Sequence, residues 1–130
     1  MIEDAIRTRL LAAAGVTALV GDRIYWRRAP HGTTYPCLAF RRQGTDPVRA
    51  MGTDTGLQLS RWLFIAIGHL AGQAKDVMAA VKTALNRLHD TTVDGVFIDS
   101  IFLDDTVDVD LDDVEQSDAI GQVYRINYRE

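Results

Sequence analysis

The sequence contains a single cysteine, Cys37, among its 130 residues. An intramolecular disulfide framework is therefore excluded, and this usage fits a reducing compartment. Between Pro36 and Leu38, Cys37 reads as a small core residue on a strand, with no neighbour that would activate a thiolate. Long apolar runs are missing too. The longest uncharged stretch, from Trp62 to Ala74, contains Gly68, His69, Gly72 and Gln73. Nothing approaches the roughly 20 apolar residues that span a bilayer. The opening Met-Ile-Glu-Asp has no basic region followed by an apolar one, so no secretory signal is expected. Repeats, low-complexity tracts and interdomain linkers are absent, and 130 residues suit one domain over residues 1–130.

Chemical motifs are lacking as well. No GxGxxG follows a strand pattern, and no Gly-Lys-Ser/Thr loop occurs. Ser60, Ser100 and Ser117 do not sit in a Gly-x-Ser-x-Gly elbow. His31, His69 and His89 stand singly, without the spacing of a zinc site. Asp108, Asp110 and Asp112 have the one-three-five spacing of a calcium loop. However, Asp113 stands where a glycine is needed, and Ala119 where a bidentate Glu is needed. No catalytic residue, cofactor or metal is therefore expected.

What the sequence does have is a charge imbalance along its length. Hydrophobic residues make up 47% and charged residues 25%, an ordinary soluble composition. The net charge is −4, which disfavours stable nucleic-acid binding. Residues 1–61 hold nine Arg and five Asp/Glu, whereas residues 62–130 hold five Lys/Arg and thirteen Asp/Glu. Eight carboxylates fall within Asp104–Asp118, which has no Lys or Arg. There Val107, Val109 and Leu111 alternate with Asp108, Asp110 and Asp112, an amphipathic strand or arm with an acidic face. Such a strip can be a solvated edge that resists aggregation, or a docking strip for a basic surface. The candidate basic counterpart is Arg27, Arg28, Arg41, Arg42 and Arg49, opposite Asp108, Asp110, Asp112 and Asp113. Tyr25 and Trp26 beside Arg27 and Arg28 also resemble a small stacking patch for single strands.

Periodicity predicts the elements. Ile2, Ile6, Leu10 and Ala13 make a helical stripe over 2–14, ended by Gly15. Val16–Val20 adds one helical turn, with Thr17 as candidate N-cap and Gly21-Asp22 as stop. Strands are expected at Ile24–Trp26, Pro36–Gln43, Leu57–Ile67, Val96–Leu103 and Val123–Arg129. Arg27–Tyr35 reads as a loop, and Gly44–Gly56 as a long exposed hairpin connection. Val77, Val81, Leu85 and Leu88 predict a second helix over Ala71–His89. Asp94-Gly95 signals a tight turn. The expected fold is α+β in the order α-β-β-β-α-β-β, a mainly antiparallel sheet of four or five strands with two helices on one face.

Taken in order, these pieces resemble the tail-completion, or tail-terminator, proteins of long-tailed bacteriophages and related gene-transfer particles. The resemblance is carried by Ile6-Arg7-Thr8-Arg9-Leu10-Leu11 and by Ala18-Leu19-Val20-Gly21-Asp22-Arg23-Ile24-Tyr25. It continues through Ala29-Pro30-His31-Gly32-Thr33-Thr34-Tyr35-Pro36-Cys37-Leu38-Ala39-Phe40, the Leu59–Ala66 strand, the Ala71–Leu88 helix, and the strands Ile98–Asp105 and Tyr124–Tyr128. It implies a non-enzymatic virion protein, a homohexameric ring that caps the tail tube and stops its growth. The implied partners are further copies of the chain, the tail tube protein, and a head-tail connector or stopper protein. The implied location is the virion tail, after assembly in the bacterial cytoplasm, with no membrane partner. Two other readings stay open at this point: another head-tail adaptor or minor tail protein, and a small nucleic-acid-binding protein of a mobile element.

Overall fold

Two long hairpins, each read from the sequence as much shorter, set the shape of the chain. The computed structural model describes residues 2–27, 36–50, 53–68, 72–108 and 118–129, with backbone alone at 45–50, 53–57, 107–108 and 118. The elements are α1 Ile2–Ala12, α2 Ala14–Val20, β1 Ile24–Trp26, β2 Cys37–Ala50, β3 Thr53–Gly68, α3 Gln73–Leu85, β4 His89–Val93, β5 Val96–Asp108 and β6 Asp118–Arg129. The six strands form one curled sheet in the order β1-β2-β3-β6-β5-β4. All neighbours pair antiparallel except β1 with β2, which are parallel.

The α+β class and the mainly antiparallel pairing hold. Among the described residues there are three helices and six strands, not two helices and four or five strands. The turn expected at Val16–Val20 is a helix of seven residues starting at Ala14. Thr17 does not cap it. Its hydroxyl lies within the helix and donates back to the carbonyls of Ala13 and Ala14, both at 3.3 Å. The parallel β1–β2 pair was not anticipated. Ten residues separate Trp26 from Cys37, enough chain to bring β2 back to the start of β1. Leu38 N–H then donates to Arg23 O, and Arg27 N–H to Phe40 O.

Helix α3 stops at Leu85, four residues before the expected end at His89. The apolar stripe continues to Leu88, so periodicity alone does not mark the stop. Pairing does: Arg87 N–H donates to Ile101 O, and Ile101 N–H to Leu88 O. Arg87 turns the chain at φ 65°, and His89–Val93 become β4 against β5. The Asp94-Gly95 turn occurs as expected, with φ of 49° and 78°, the doubly positive pattern of a tight hairpin.

The connection expected at Gly44–Gly56 is instead mostly ladder. Pairing continues to Ala50↔Thr53, with irregularities between Arg42 and Gly44 and between Pro47 and Arg49. A bulge lets a strand carry a glycine or proline without ending it. Likewise β5 runs on to Asp108 and β6 begins at Asp118, so both ends of the acidic segment are strand. A further irregularity between Ile98 and Ser100 shifts the face alternation of β5. Val96, Ile98 and Ile101 therefore share the core side, while Phe102 is exposed.

The core lies between the helices and one sheet face. Ile2, Ala5, Ile6 and Leu10 of α1, and Val77, Met78, Val81 and Leu85 of α3, pack over Phe40, Trp62, Phe64, Tyr124 and Ile126. Aromatic rings bridge three strands: Phe40 stacks on Phe64 at 5.7 Å, and Phe64 meets Tyr124 edge-on at 5.3 Å. Ser60 and Trp62 satisfy their polar groups within this layer. Trp62 Nε1 donates to Ser60 Oγ at 2.8 Å, and Ser60 Oγ donates to Ile126 O at 2.7 Å. Gly68 permits the close approach of β3 to α3, since a Cβ there would lie 2.5 Å from the Gln73 Cβ. Trp62→Ala should cost about 3–5 kcal/mol, the range for removing a fully buried aromatic. Urea denaturation followed by circular dichroism checks this, and a loss below about 1 kcal/mol would contradict the packing.

Candidate assembly surface

The first candidate surface forms where β1 ends. Trp26 pairs with Phe40, and the next residues, Arg27 and Arg41, enter an open cleft of about 930 Å³ with Glu3, Trp26 and Arg42. Arg27 holds φ 77°, an uncommon conformation for a non-glycine residue, and its guanidinium stands 4.7 Å from the centre of the Trp26 ring. Trp26 remains 45% exposed. Arg42 is engaged differently. Its guanidinium lies 5.0 Å from the Trp62 ring, donates to the Tyr128 hydroxyl at 2.7 Å, and is 3.7 Å from Glu3 Oε1. Tyr128 in turn donates to Gln58 Oε1 at 3.0 Å. This chain ties the first turn of α1 to three strands, so Arg42 is committed to the fold. The second Glu3 oxygen, Oε2, is buried and has no hydrogen-bond partner among the described residues.

The sheet face turned away from the helices is the second surface. Arg61 on β3 pairs directly with Arg125 on β6. Both are exposed, and directly opposed like charges destabilise a sheet. Asp104 offsets part of the repulsion, 3.3 Å from Arg125 Nε. Phe102, opposite Arg125 on β5, is 52% exposed, and Leu59, two residues from Arg61, is 42% exposed. Apolar side chains ringed by arginines are a common composition for a protein contact.

The structure unites only part of the residues singled out from sequence. Arg27, Arg41 and Arg42 come together at the cleft. Arg49 lies further along β2, opposite Asp54, in the arm that continues beyond the end of β6. Asp108 is the last residue of β5, opposite Ile120. Arg28, Asp110, Asp112 and Asp113 lie outside the described residues. Because β3 pairs with β6 from Gln58↔Tyr128 to Gly68↔Asp118, the Arg49 arm and the Asp108 end project from opposite ends of the sheet. Phe102, Leu59, Arg61 and Arg125 were not singled out. Their exposure depends on pairing register, although the alternation of Tyr124, Ile126 and Tyr128 with Arg125 was a usable signal.

Reactive groups elsewhere are quiet. Cys37 is fully buried, and burial pushes its thiol up to about 11, with Arg23 pulling the other way. Burial also raises the Tyr124 hydroxyl above its ordinary range. Among the described residues, no group of three or more His, Cys, Asp or Glu is gathered that could hold a metal ion. No described helix is long and apolar enough to cross a membrane.

Comparison with known proteins agrees with this architecture. The family model described as tail completion protein gp17 matches residues 4–125. Among solved structures, the chain is similar to one from the virion of a native gene transfer agent (GTA) particle. The two are 20% identical with a TM-score of 0.74, over 99% of this chain and 95% of that one. At that identity the likeness is one of fold. No curated protein matches the chain.

Two outcomes test the surface chemistry. With its thiol raised to about 11, Cys37 should resist a thiol reagent at about pH 8 and react only as the chain unfolds. Rapid labelling of the native chain would contradict the burial. Replacing Arg61 with Gln removes one of two facing charges and should stabilise the isolated subunit by about half a kcal/mol. A thermal or urea midpoint that falls would show that Arg61 has a stabilising partner within the subunit.

Proposed function

The chain belongs to the tail completion protein gp17 family, a family of phage tail structural proteins, and from that premise we propose that it caps the tail tube as a homohexameric ring. In this reading the ring ends tube polymerisation and offers its other side to the head connector or stopper protein. The chain then acts in the virion tail, or in a phage-like particle, after assembly in the host cytoplasm, and performs no catalysis.

The observation that carries the reading is the separation of opposite charges across the sheet. A closed ring requires heterologous contacts, in which one surface of a subunit meets a different surface of the next. The cleft with Arg27 and Arg41 lies at the β1–β2 edge of the sheet and Asp104 and Asp105 lie near the β5–β4 edge, while Arg49 and Asp108 lie toward opposite ends. A subunit built this way offers its neighbour a complementary surface rather than a copy of its own. Arg28, Asp110, Asp112 and Asp113 belong to the same two charged stretches of sequence and are assigned to the same contacts. The outer face with Phe102, Leu59, Arg61 and Arg125 remains available for the tube or the connector.

The test is a mass measurement of the purified chain, alone and with assembled tail tube. The expected result is a hexamer, formed freely or on the tube end, and a tube that stops elongating once the chain is added. A chain that stays monomeric in both settings, with tubes that keep growing, would overturn the reading. Retention on DNA that weakens steeply with salt would instead favour a nucleic-acid role for Trp26, Arg27 and Arg41.

A further inference from the structure

We propose that neighbouring copies join edge to edge, the open edge of β2 in one copy pairing antiparallel with the open end of β5 in the next. This rests on the ring reading and specifies its contact as a shared β-sheet. Along the outer side of β2, β1 covers the strand only as far as Phe40. Among the described residues, no strand lies against that side from Arg41 to Ala50. On the opposite edge of the sheet, β4 covers β5 from Val96 to Ser100. The turn after α3 then covers Ile101 through Arg87 and Leu88, and the Asn86 side chain accepts from Leu103 N–H at 3.0 Å. From Asp104 to Asp108 no described residue pairs on that side. Unpaired edges of this length are hazardous in a soluble subunit unless something guards or uses them.

Direction, charge and shape all favour the pairing of β2 with β5. Three antiparallel ladders separate the two strands, so β5 runs opposite to β2. Copies set side by side in one orientation therefore bring antiparallel edges together. The open edge of β2 contains Arg41 and Arg49 against one acid, Asp46, besides Arg42, whose charge is taken up by Glu3. The open end of β5 contains Asp104, Asp105 and Asp108 and no base. Pairing β2 with β2, or β5 with β5, sets like charges side by side. Charge thus opposes a closed two-fold dimer and favours the head-to-tail arrangement of a ring.

The steps in the two edges also match. Arg41 and Asp105 share one row, through Leu63 and Val123. The free part of β2 extends from that row toward one end of the sheet, and the free part of β5 toward the other. Two such edges interlock when one copy is shifted along the strands by about five residues, or about 17 Å. With β2 joined to the next copy's β5, each copy adds four strands to the shared sheet, β2, β3, β6 and β5, about 19 Å across. The shift is met without leaving the ring plane if the strands incline by roughly 40° to the ring axis, within the tilt of about 35–45° in closed sheets.

Charge reversal tests the pairing. One full-length variant carries Arg41→Glu and Arg49→Glu, and a second carries Asp105→Lys and Asp108→Lys. Thermal melts confirm that each still folds. Native mass spectrometry then reads the oligomer under the conditions in which the wild-type chain forms its ring, alone or on tail tubes. Each variant alone should need at least about tenfold more protein to assemble. An equimolar mixture should recover rings with the two variants in equal number, since the doubly acidic copy now fits the doubly basic one. Variants that assemble as well as wild type, or a mixture that fails to recover, overturn the edge pairing and leave the ring standing. A wild-type chain that never leaves the monomeric state overturns both.

Discussion

The ladder between β3 and β6 is the constraint on which the other features depend. Its eleven consecutive pairs, from Gln58↔Tyr128 to Gly68↔Asp118, contain no irregularity. Among the described residues it is also the only ladder that joins the β2–β3 hairpin to the β5–β6 hairpin. A sheet's side-chain period is two, so a one-residue slip would turn Trp62, Phe64, Tyr124 and Ile126 out of the core. Those side chains are essentially inaccessible, which makes this register expensive to change. Once it is fixed, the two hairpins must extend in opposite directions. The arm that bears Arg49 and the acidic end of β5 are then held apart by the same contacts that hold the core together.

Most of this frame could be read where the signal is local. The α1 stripe, the alternation in β3 and β6, and the Asp94-Gly95 turn depend on residues a few positions apart, and the structure has them. Strand β4 was missed because Val77, Val81, Leu85 and Leu88 keep a helical period past the point where the helix ends. What ends it is the bonding of Arg87 and Leu88 to Ile101, a contact between distant segments. The hairpin arm was missed because Gly44, Pro47, Gly52 and Gly56 are turn formers, and only pairing reveals that two irregularities absorb Gly44 and Pro47. The candidate surface follows the same division. Charge counting found Arg27 and Arg41, but the Arg61↔Arg125 contact depends on a register that neither strand contains alone. Family likeness was legible because it rests on the order and spacing of many weak pieces.

Arg42 shows why a list of arginines is not a surface. It follows Arg41 directly, and sequence gives the two equal standing. Both line the same cleft, but their contacts differ. Arg42 lands among Trp62, Tyr128 and Glu3 and becomes a tie between helix and sheet. Arg41 lies beside Trp26 and Arg27 in that cleft and is exposed. A partly buried carboxylate such as Glu3, 13% exposed at its side chain, needs such a cation nearby. The fold therefore draws one arginine from the basic half for its own stability.

What remains at the surface costs the isolated subunit something. Facing arginines, an exposed Phe102, an exposed Trp26 and strand edges that no described residue pairs are each unfavourable or risky alone. They do not fall at random. The arginines are opposed by register, the apolar side chains lie beside them, and the open edges carry opposite charge on opposite sides. A monomer selected only for its own stability has no reason to keep all of these together. A subunit selected to meet different neighbours on different sides does, because each liability becomes a contact once its neighbour is in place. Under the ring reading, the same charges also guard the unassembled chain. Like edges repel, so a copy that meets another in the wrong orientation separates, and one arriving in the ring orientation stays.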